Sequence, residues 1–196
     1  MKSDFPFLST LPSGKSLEGY LYPDTYFLDP NSSIPEQLIK SQLKNFNQKV
    51  WIPLGDQLQS FGYGFDSYKL LTLASVIENE EKLAGNKPII AGIFLNRLEK
   101  GMRLDADVTL CYGLKITYDQ CRNQILANLS DASNLYNTRQ NYGLPPTPIS
   151  SPSVETISAT LDFKKTGALY YLHDASGKIH YGTTLEEHNE NKKNYL

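Results

Sequence analysis

The spacing of hydrophobic residues along the chain predicts mostly helices. After Ser33, apolar residues recur at helical spacing as far as Val50, and Pro35 and Glu36 near the start are typical of a helix N-terminus. Further helices are predicted from Asp66 or Ser67 through the apolar run 70–77, from about 86 to 101, from 117 to about 129, over 153–161, and from Thr184 to the end. The glycines at 55, 62 and 64 predict a loop before the second of these helices.

Extended segments are fewer and shorter. Residues 169–172 and 179–181, separated by a turn-forming stretch that contains Gly177, predict a β-hairpin. Residues 20–22 and 26–28 are predicted to be extended on either side of a turn at Pro23, and 102–116 are predicted to be loop with a short strand. The fold class that follows is α+β, a helix-rich domain with a small β-sheet.

One long loop interrupts this pattern. Residues 136–152 contain Gly143 and four prolines, so they are predicted to be irregular and stiff. A stiff loop of this length suits the wall of a cleft. The predicted organisation is a lead-in over residues 1–16 and a single folded domain over 17–196.

Composition excludes several classes of function. A net charge of −2 argues against a nucleic-acid surface, and no stretch approaches the roughly 20 apolar residues that span a bilayer. The three histidines and two cysteines show no metal-ligand spacing, so neither a metal nor a cofactor is predicted. Cys111 and Cys121 can form a local disulfide or remain as two free thiols.

Glu78 is the first candidate for catalysis. It directly follows the apolar residues Val76 and Ile77, and a carboxyl in apolar surroundings is expected to have a raised pKa, as a general acid needs. Glu80 and Glu81 fall within or beside the same broad helical arc, so periodicity alone does not separate the three. In the alternative interpretation Glu78 is structural and pairs with an arginine, Arg97 or Arg103 being the candidates.

A second carboxylate is harder to choose. Asp107 can pair with Glu78 as in most glycosidases, or it can cap a turn and bond to Thr109. Asp105 in the same segment is a further candidate, and Glu18 is a third, although Glu-Gly alone has little specificity. The sequence contains no nucleophile-elbow serine and no phosphate-binding glycine loop, so serine hydrolases and nucleotide-binding enzymes are not favoured.

Several blocks, taken in order, resemble the MltG (YceG-like) endolytic murein transglycosylases. They cover nearly the whole chain from Leu17 onward, at 17–26, 73–78, 93–98, 101–104, 107–109, 112–113, 136–138, 143–149 and 187–189. Position 108 is Val where relatives often carry Pro, and residues 114–135 match poorly.

This resemblance implies an enzyme at the extracytoplasmic face of the cytoplasmic membrane that cuts nascent peptidoglycan glycan strands internally. It implies glycan strands and the cell-wall synthesis machinery as partners. It places the family's catalytic glutamate on Glu78, within the block that ends there. The family's membrane anchor and LysM-like region have no counterpart in this sequence, which is expected of an excised catalytic fragment.

The reaction implied by the resemblance leaves a 1,6-anhydro-MurNAc end, and a single carboxyl can act as acid and then as base. The other residues expected to bind substrate or to orient Glu78 are Glu18, Tyr20, Tyr22, Asn96, Asp107, Thr109, Tyr112, Tyr136, Asn137 and Thr138. His188 and Asn189 either act with them or lock the last helix against the hairpin. The alternatives are a hydrolytic muramidase that uses Glu78 and Asp107, and a non-catalytic peptidoglycan-binding scaffold.

Overall fold

The computed structural model describes residues 4–121 and 123–196. The helices are α1 (Ile34–Phe46), α2 (Ile52–Ser60), α3 (Ser67–Glu80), α4 (Lys87–Glu99), α5 (Asp107–Gly113), α6 (Tyr118–Cys121), α7 (Ile125–Asn128), α8 (Val154–Leu161) and α9 (Leu185–Tyr195). A short 3-10 helix covers Pro6–Ser9, and a π-helical turn, Asn47–Trp51, joins α1 to α2. Strands β1 (Tyr170–His173) and β2 (Ile179–Gly182) lie between α8 and α9.

Helix α3 is the central element because it is buried on two sides. Its residues Leu70, Leu71 and Ala74 pack into one core with α1, α2 and α8. Leu73, Val76 and Ile77 pack into a second core with α4, the start of α5 and the hairpin. An almost continuous apolar run is needed to fill both cores, which is why the helix shows no clean polar face until its last turn.

The hairpin and α9 close one end of the domain. Strands β1 and β2 are antiparallel, with Tyr171 opposite Tyr181 and Leu172 opposite His180. Thr184 and Glu187 form a capping box at the start of α9, and this fixes the helix next to the strands. Tyr171 points toward α4, where its ring meets Phe94 edge-on with centroids 6.2 Å apart.

The predicted fold class is confirmed, as are the hairpin and the helices near 33–50, 66–80, 86–101 and 153–161 and after Thr184. The prolines near the starts of α1 and α4 and the capping side chains of Asp66 and Ser153 lie where the sequence placed them. The predicted capping box at Ser33 is absent: the Ser33 side chain makes no capping bond, and Glu36 pairs with Lys40 at 2.8 Å.

Other local predictions were wrong. Gly55 lies inside α2, where its missing side chain leaves room for the ring of Trp51, so it does not begin a loop. Residues 20–22 and 26–28 form no strand, and the predicted loop and strand over 102–116 contain α5. The single helix predicted over 117–129 is two short helices, α6 and α7, and its residue 122 lies outside the described residues.

The N-terminal segment packs against the rest of the domain. Residues 1–3 of the predicted lead-in lie outside the described residues, but Phe7 and Leu8 are buried against Tyr20 and Phe46. The described part of the lead-in therefore contributes to the core, while the boundary at residue 17 stays a prediction.

Two further features bear on the setting of the protein. Cys111 in the second half of α5 and Cys121 at the end of α6 form a disulfide, with Cα atoms 5.5 Å apart, which decides a question that the sequence left open. Within residues 4–121 and 123–196, no helix has the length and apolar character needed to cross a membrane.

Candidate active site

The last turn of α3 sends two carboxylates in opposite directions. Glu78 and Glu80 are two positions apart, which is about 200° around a helix with 100° per residue. Glu78 points toward the N-terminus of α8, and Glu80 points toward the hairpin. One of them therefore contacts the body of the domain and the other faces a cleft.

The Glu78 carboxylate is held by groups at the start of α8. Its Oε2 atom accepts hydrogen bonds from the Ser153 backbone N–H (3.1 Å), the Ser153 hydroxyl (2.9 Å) and the Thr156 hydroxyl. Lys87 on α4 lies 3.8 Å away, and a helix N-terminus favours an anion. The structure thus gives Glu78 the environment of an ionised, structural carboxylate.

The expectation that apolar surroundings raise the pKa of Glu78 is therefore wrong. Burial does act to raise it, but the hydrogen bonds from Thr156 and Ser153 and the charge of Lys87 together lower the pKa below its ordinary value. The expected arginine partners are wrong as well, since the cation next to Glu78 is a lysine.

Glu80 has the environment that was predicted for Glu78. It is half-buried, and its Oε1 atom accepts a hydrogen bond from the Tyr171 hydroxyl at 2.8 Å. Burial raises the pKa of Glu80, and the nearby negative charge of Asp107 raises it further. The hydrogen bond from Tyr171 and the positive charge of Arg139 oppose this shift without cancelling it.

Glu80 lines a cleft of about 400 Å³ between the end of α3, the start of α5 and the hairpin. Charged side chains in this cleft form two ion pairs: Arg139 Nε lies 2.5 Å from Asp107 Oδ1, and Arg97 contacts Asp105. Tyr170, His173, His188 and Lys192 complete much of the lining. The cleft therefore offers many hydrogen-bonding groups around one carboxyl whose pKa is raised.

This arrangement can donate a proton to an oxygen of a polar substrate and later recover one. Within the described residues, no group of three or more His, Cys, Asp or Glu side chains is arranged to hold a metal ion. The chemistry that the side chains themselves can supply is acid–base catalysis by Glu80.

The whole domain, and not only this cleft, matches known proteins. The model of the YceG-like family matches residues 2–194. The chain belongs to the YceG-like family. A putative yceG-like protein from Listeria monocytogenes has a similar structure, with a TM-score of 0.79 and 32% sequence identity over 96% of this chain and 61% of that one.

Two curated relatives are named endolytic murein transglycosylase. The protein from Bacillus subtilis is 35% identical over 181 residues, which is 92% of this chain and 48% of that protein. The protein from Streptococcus pneumoniae serotype 2 is 31% identical over 177 residues, covering 89% of this chain and 31% of that protein. The chain thus spans half or less of the length of these curated relatives.

In this protein, several of the predicted substrate-binding residues lie inside the domain. Asn137 is fully buried and its amide donates to the backbone carbonyls of residues 128, 129 and 131 at 2.9–3.3 Å. The buried hydroxyls of Thr109 and Thr138 lie 2.8 Å apart and hold the backbone of Ala106. The polar atoms of these three residues are therefore engaged inside the domain, which leaves them no exposed group for contact with a substrate.

Tyr20 and Asn96 are also structural. Tyr20 is fully buried, its hydroxyl lies 2.9 Å from that of Thr10, and burial raises its pKa to about 12, so it offers no stacking face. The Asn96 amide donates to the carbonyls of Thr166 and Ala168, which ties α4 to the segment before β1. It does not contact Glu78. Tyr22 lies under the ammonium group of Lys49, 5.0 Å from the ring centroid.

Other predicted residues do lie at open surfaces. Asp107 faces Glu80 in the cleft and not Glu78. Glu18, Tyr112 and Tyr136 form a cluster near the C-terminus of α5: the Tyr112 hydroxyl donates to Glu18, and the rings of Tyr112 and Tyr136 have centroids 4.9 Å apart. His188 lines the cleft, and its ring stacks on that of Tyr170 in β1 with centroids 5.3 Å apart. It therefore joins α9 to the hairpin and also faces the cleft.

Sequence reasoning did not predict several residues of the cleft. Arg139 directly follows the block 136–138 that was singled out, and Tyr171 and His173 lie in the predicted hairpin, where alternation alone placed them only as strand residues. Periodicity did not separate Glu80 from Glu78, and the family resemblance placed the catalytic role on Glu78. The usable signal was its spacing of two from Glu78, which requires the two carboxylates to face different surroundings.

Proposed function

We propose that this chain is the catalytic part of an endolytic murein transglycosylase, with Glu80 as its acid and base. The observation that carries the proposal is the raised pKa of Glu80 in a cleft rich in hydrogen-bonding groups. The names of the curated relatives supply the substrate class, the peptidoglycan glycan strand. The β-1,4 bond between MurNAc and GlcNAc is the bond to be cleaved.

In the first step protonated Glu80 gives its proton to the glycosidic oxygen. The bond from the MurNAc C1 atom to that oxygen breaks, and GlcNAc leaves with a free hydroxyl. In the second step ionised Glu80 removes the proton from the MurNAc 6-hydroxyl, whose oxygen bonds to C1. Glu80 ends protonated again, no water is consumed, and the product is a 1,6-anhydro end.

The neighbours of Glu80 suit both of its protonation states. Asp107 favours the protonated acid by placing a negative charge nearby, and Arg139 limits that effect by pairing with Asp107. The hydrogen bond from Tyr171 stabilises the carboxylate that remains after proton transfer. A carboxyl that must change its charge twice in each turnover needs opposing influences of this kind.

Glu78 fits this role poorly. Its proton acceptor atom already receives three hydrogen bonds, and its pKa is lowered, so it would rarely be protonated near neutral pH. A muramidase that combines Glu78 with Asp107 is disfavoured because the pKa of Glu78 is lowered and because Asp107 lines the cleft together with Glu80. A scaffold without catalysis would have no need of a carboxyl with a raised pKa in an open cleft.

We also propose that the enzyme works outside the cytoplasmic membrane, where peptidoglycan lies. The disulfide between Cys111 and Cys121 supports this, because disulfides persist in oxidising compartments. An anchor in the inner membrane and contact with the cell-wall synthesis machinery belong to the same proposal and are supported by the family resemblance alone.

The test is the set of products formed from purified, uncrosslinked glycan strands. We expect Glu80→Gln to fold and to yield no anhydro-ended fragments by mass spectrometry, while Glu78→Gln still yields them. Glu190→Gln, an exposed carboxylate on α9, is the matched control. Anhydro products from Glu80→Gln would overturn the assignment of the acid, and products heavier by one water would show hydrolysis instead.

A further inference from the structure

The end of α3 carries a second buried carboxylate, for which the proposed reaction has no use. Glu81 directly follows Glu80 and is the C-cap of the helix, and its side chain is only 3% exposed. A negative charge at a helix C-terminus meets the negative end of the helix dipole, so this position disfavours a carboxylate. A carboxylate that is buried there requires specific hydrogen-bond donors.

The donors to Glu81 come from two directions. Its Oε1 atom accepts a hydrogen bond from the Leu83 backbone N–H at 2.7 Å, and its Oε2 atom lies 2.9 Å from Nε2 of His173 in β1. Burial acts to raise the pKa of Glu81, but the hydrogen bonds from His173 and Leu83 outweigh burial and lower the pKa below its ordinary value. An ionised carboxylate only accepts hydrogen bonds, so Nε2 of His173 carries the hydrogen and donates it to Glu81.

His173 connects this carboxylate to the cleft of Glu80. Its side chain lines the cleft and is 32% exposed. Tyr171 lies two residues earlier in β1, and because successive side chains of a strand alternate, both residues point to the same face of the hairpin. Their rings meet edge-on, at 89°, with centroids 6.0 Å apart.

Two neighbouring contacts therefore join β1 to the end of α3. The Tyr171 hydroxyl donates to Glu80 at 2.8 Å, and the His173 ring donates to Glu81 at 2.9 Å. Within residues 4–121 and 123–196, these two are the hydrogen bonds between the hairpin and the end of α3. One contact alone leaves a strand free to pivot about it, whereas two contacts side by side fix both its position and its rotation.

The hairpin depends on such contacts, because two strands alone are marginally stable in water. On the opposite face of β1, Tyr170 stacks on His188 of α9, but this contact does not set the distance to α3. The Tyr171 hydroxyl reaches Glu80 only while β1 keeps its place against the helix end, since a hydrogen bond of this kind requires a donor–acceptor distance of about 3 Å.

We propose that His173, held by Glu81, is a positioning residue that keeps the Tyr171 hydroxyl on Glu80. The pair fixes β1 on the end of α3, and the hydroxyl is then in place to stabilise the Glu80 carboxylate that forms when the proton is transferred. The consequence for catalysis rests on the proposed function, whereas the consequence for the titration of Glu80 does not.

Other groups also act on this unit and must be separated from the effect of position. The charged or titratable groups nearby, besides the two glutamates, Tyr171 and His173, are Arg97, Asp107, Arg139 and Tyr181. A charge on His173 would lower the pKa of Glu80 directly, and the Tyr171 hydrogen bond lowers it as well. Loss of either raises the pKa, so the direction of a shift alone does not distinguish them.

The test follows the titration of Glu80 by carbon-13 NMR of the side-chain carboxyls, with its resonance assigned by its absence in Glu80→Gln. Tyr171→Phe removes the hydrogen bond and should raise the pKa of Glu80. His173→Ala should shift it in the same direction, and the double variant should shift it no further than Tyr171→Phe alone. His173→Gln, whose amide can donate to Glu81 in place of Nε2, should restore the wild-type titration.

Three results overturn the proposal. Additive shifts in the double variant, or a shift in His173→Gln as large as that in His173→Ala, would show that His173 acts through its own charge. An unchanged titration in His173→Ala would show that other contacts hold Tyr171 in place. If His173→Ala does not fold, His173→Val replaces it, because valine also lacks the donor and suits a strand.

His180→Ala is the matched control. His180 lies in the same hairpin and is also paired with a carboxylate, that of Asp174 at 2.8 Å, but this pair belongs to the hairpin and its turn. The variant should leave the titration of Glu80 unchanged. A shift equal to that in His173→Ala would mean that any loosening of the hairpin disturbs Glu80, and it would overturn the specific role of His173.

Turnover separates this proposal from the proposed function. On purified, uncrosslinked strands, His173→Ala should lower kcat by about tenfold and leave KM unchanged, which corresponds to the loss of about one hydrogen bond to a charged group. If the titration responds as expected but Glu80→Gln still forms anhydro ends, the role of Glu80 is refuted and the positioning by His173 stands. If the titration does not respond but Glu80→Gln is inactive, the positioning is refuted and the role of Glu80 stands.

Discussion

Replacing Glu78 by Gln keeps the size of the side chain and removes its charge. In the protein the Glu78 Oε2 atom accepts three hydrogen bonds, from the Ser153 N–H, the Ser153 hydroxyl and the Thr156 hydroxyl. The amide oxygen of Gln can accept from the same donors, but only as a neutral group. Lys87 keeps a carboxylate partner in Glu155 at 3.1 Å, so the substitution does not strand its buried ammonium group.

The expected cost follows from these contacts. A hydrogen bond to a charged group contributes about 1.5–3 kcal/mol and a neutral one about 0.5–1.5 kcal/mol, so each of the three loses on the order of 1 kcal/mol. The Glu78 side chain is 27% exposed, and solvent screening reduces the total to about 2 kcal/mol. In a chain of 196 residues that lowers Tm by about 4–8 °C.

The effect should depend on pH in a definite direction. Because the folded state lowers the pKa of Glu78 below its ordinary value of 4.5, its contribution to stability is present above that value and is lost as pH falls through the folded pKa. The difference in Tm between wild type and Glu78→Gln should therefore be full near pH 7 and shrink in acid. Calorimetric melting at a series of pH values measures it.

The same variant also tests the assignment of the acid. Below its melting temperature, Glu78→Gln should still form anhydro-ended products, because it leaves Glu80 and the cleft intact. A Glu78→Gln protein that is as stable as wild type and has lost activity would refute this reasoning. It would restore Glu78 as the catalytic residue, as the sequence alone suggested.

Three other predictions concern stability. Glu80→Gln should raise Tm near pH 7 but not near pH 4. Because the folded state raises the pKa of Glu80, the wild-type protein loses stability as pH rises above the unfolded pKa, whereas a neutral Gln side chain causes no such loss. A Tm difference between the two proteins that is the same at both pH values would contradict this prediction. Asn137→Ala removes a donor from three backbone carbonyls, of which those of Asn128 and Leu129 keep one in the Asp131 N–H and the Gln140 amide, so it should cost about 1–3 kcal/mol in urea unfolding, whereas the exposed Asn189→Ala should be neutral. Reducing the disulfide, which closes a loop of 10 residues, should cost at most about 3 kcal/mol, and Cys111→Ser with Cys121→Ser should melt at the same temperature with or without reductant.

Local signals in the sequence predicted the elements that they specify directly. The capping residues Asp66, Ser153 and Thr184 start their helices where expected, since an N-cap depends on residues within one turn. Helix α5 was missed because it is short, and its buried face is set by contacts with Thr138, far away in the sequence. The buried roles of Asn137 and Thr138 were missed for the same reason, because nothing local distinguishes an amide that braces a loop from one that binds a sugar.

The choice between Glu78 and Glu80 shows why an apolar run cannot identify a catalytic acid. The run before Glu78 indicates that the helix is buried, but a carboxyl at its end is surrounded by whatever packs against that side, and here it is the polar N-terminus of α8. Desolvation acts on both residues and is the largest influence on each pKa. The two glutamates differ in the number of their hydrogen-bond donors. Glu78 accepts three hydrogen bonds and lies near Lys87, whereas Glu80 accepts one hydrogen bond, from Tyr171, and lies near the negative charge of Asp107. Donors that come from α8 and the hairpin, more than 70 residues later in the chain, therefore decide which glutamate can hold a proton.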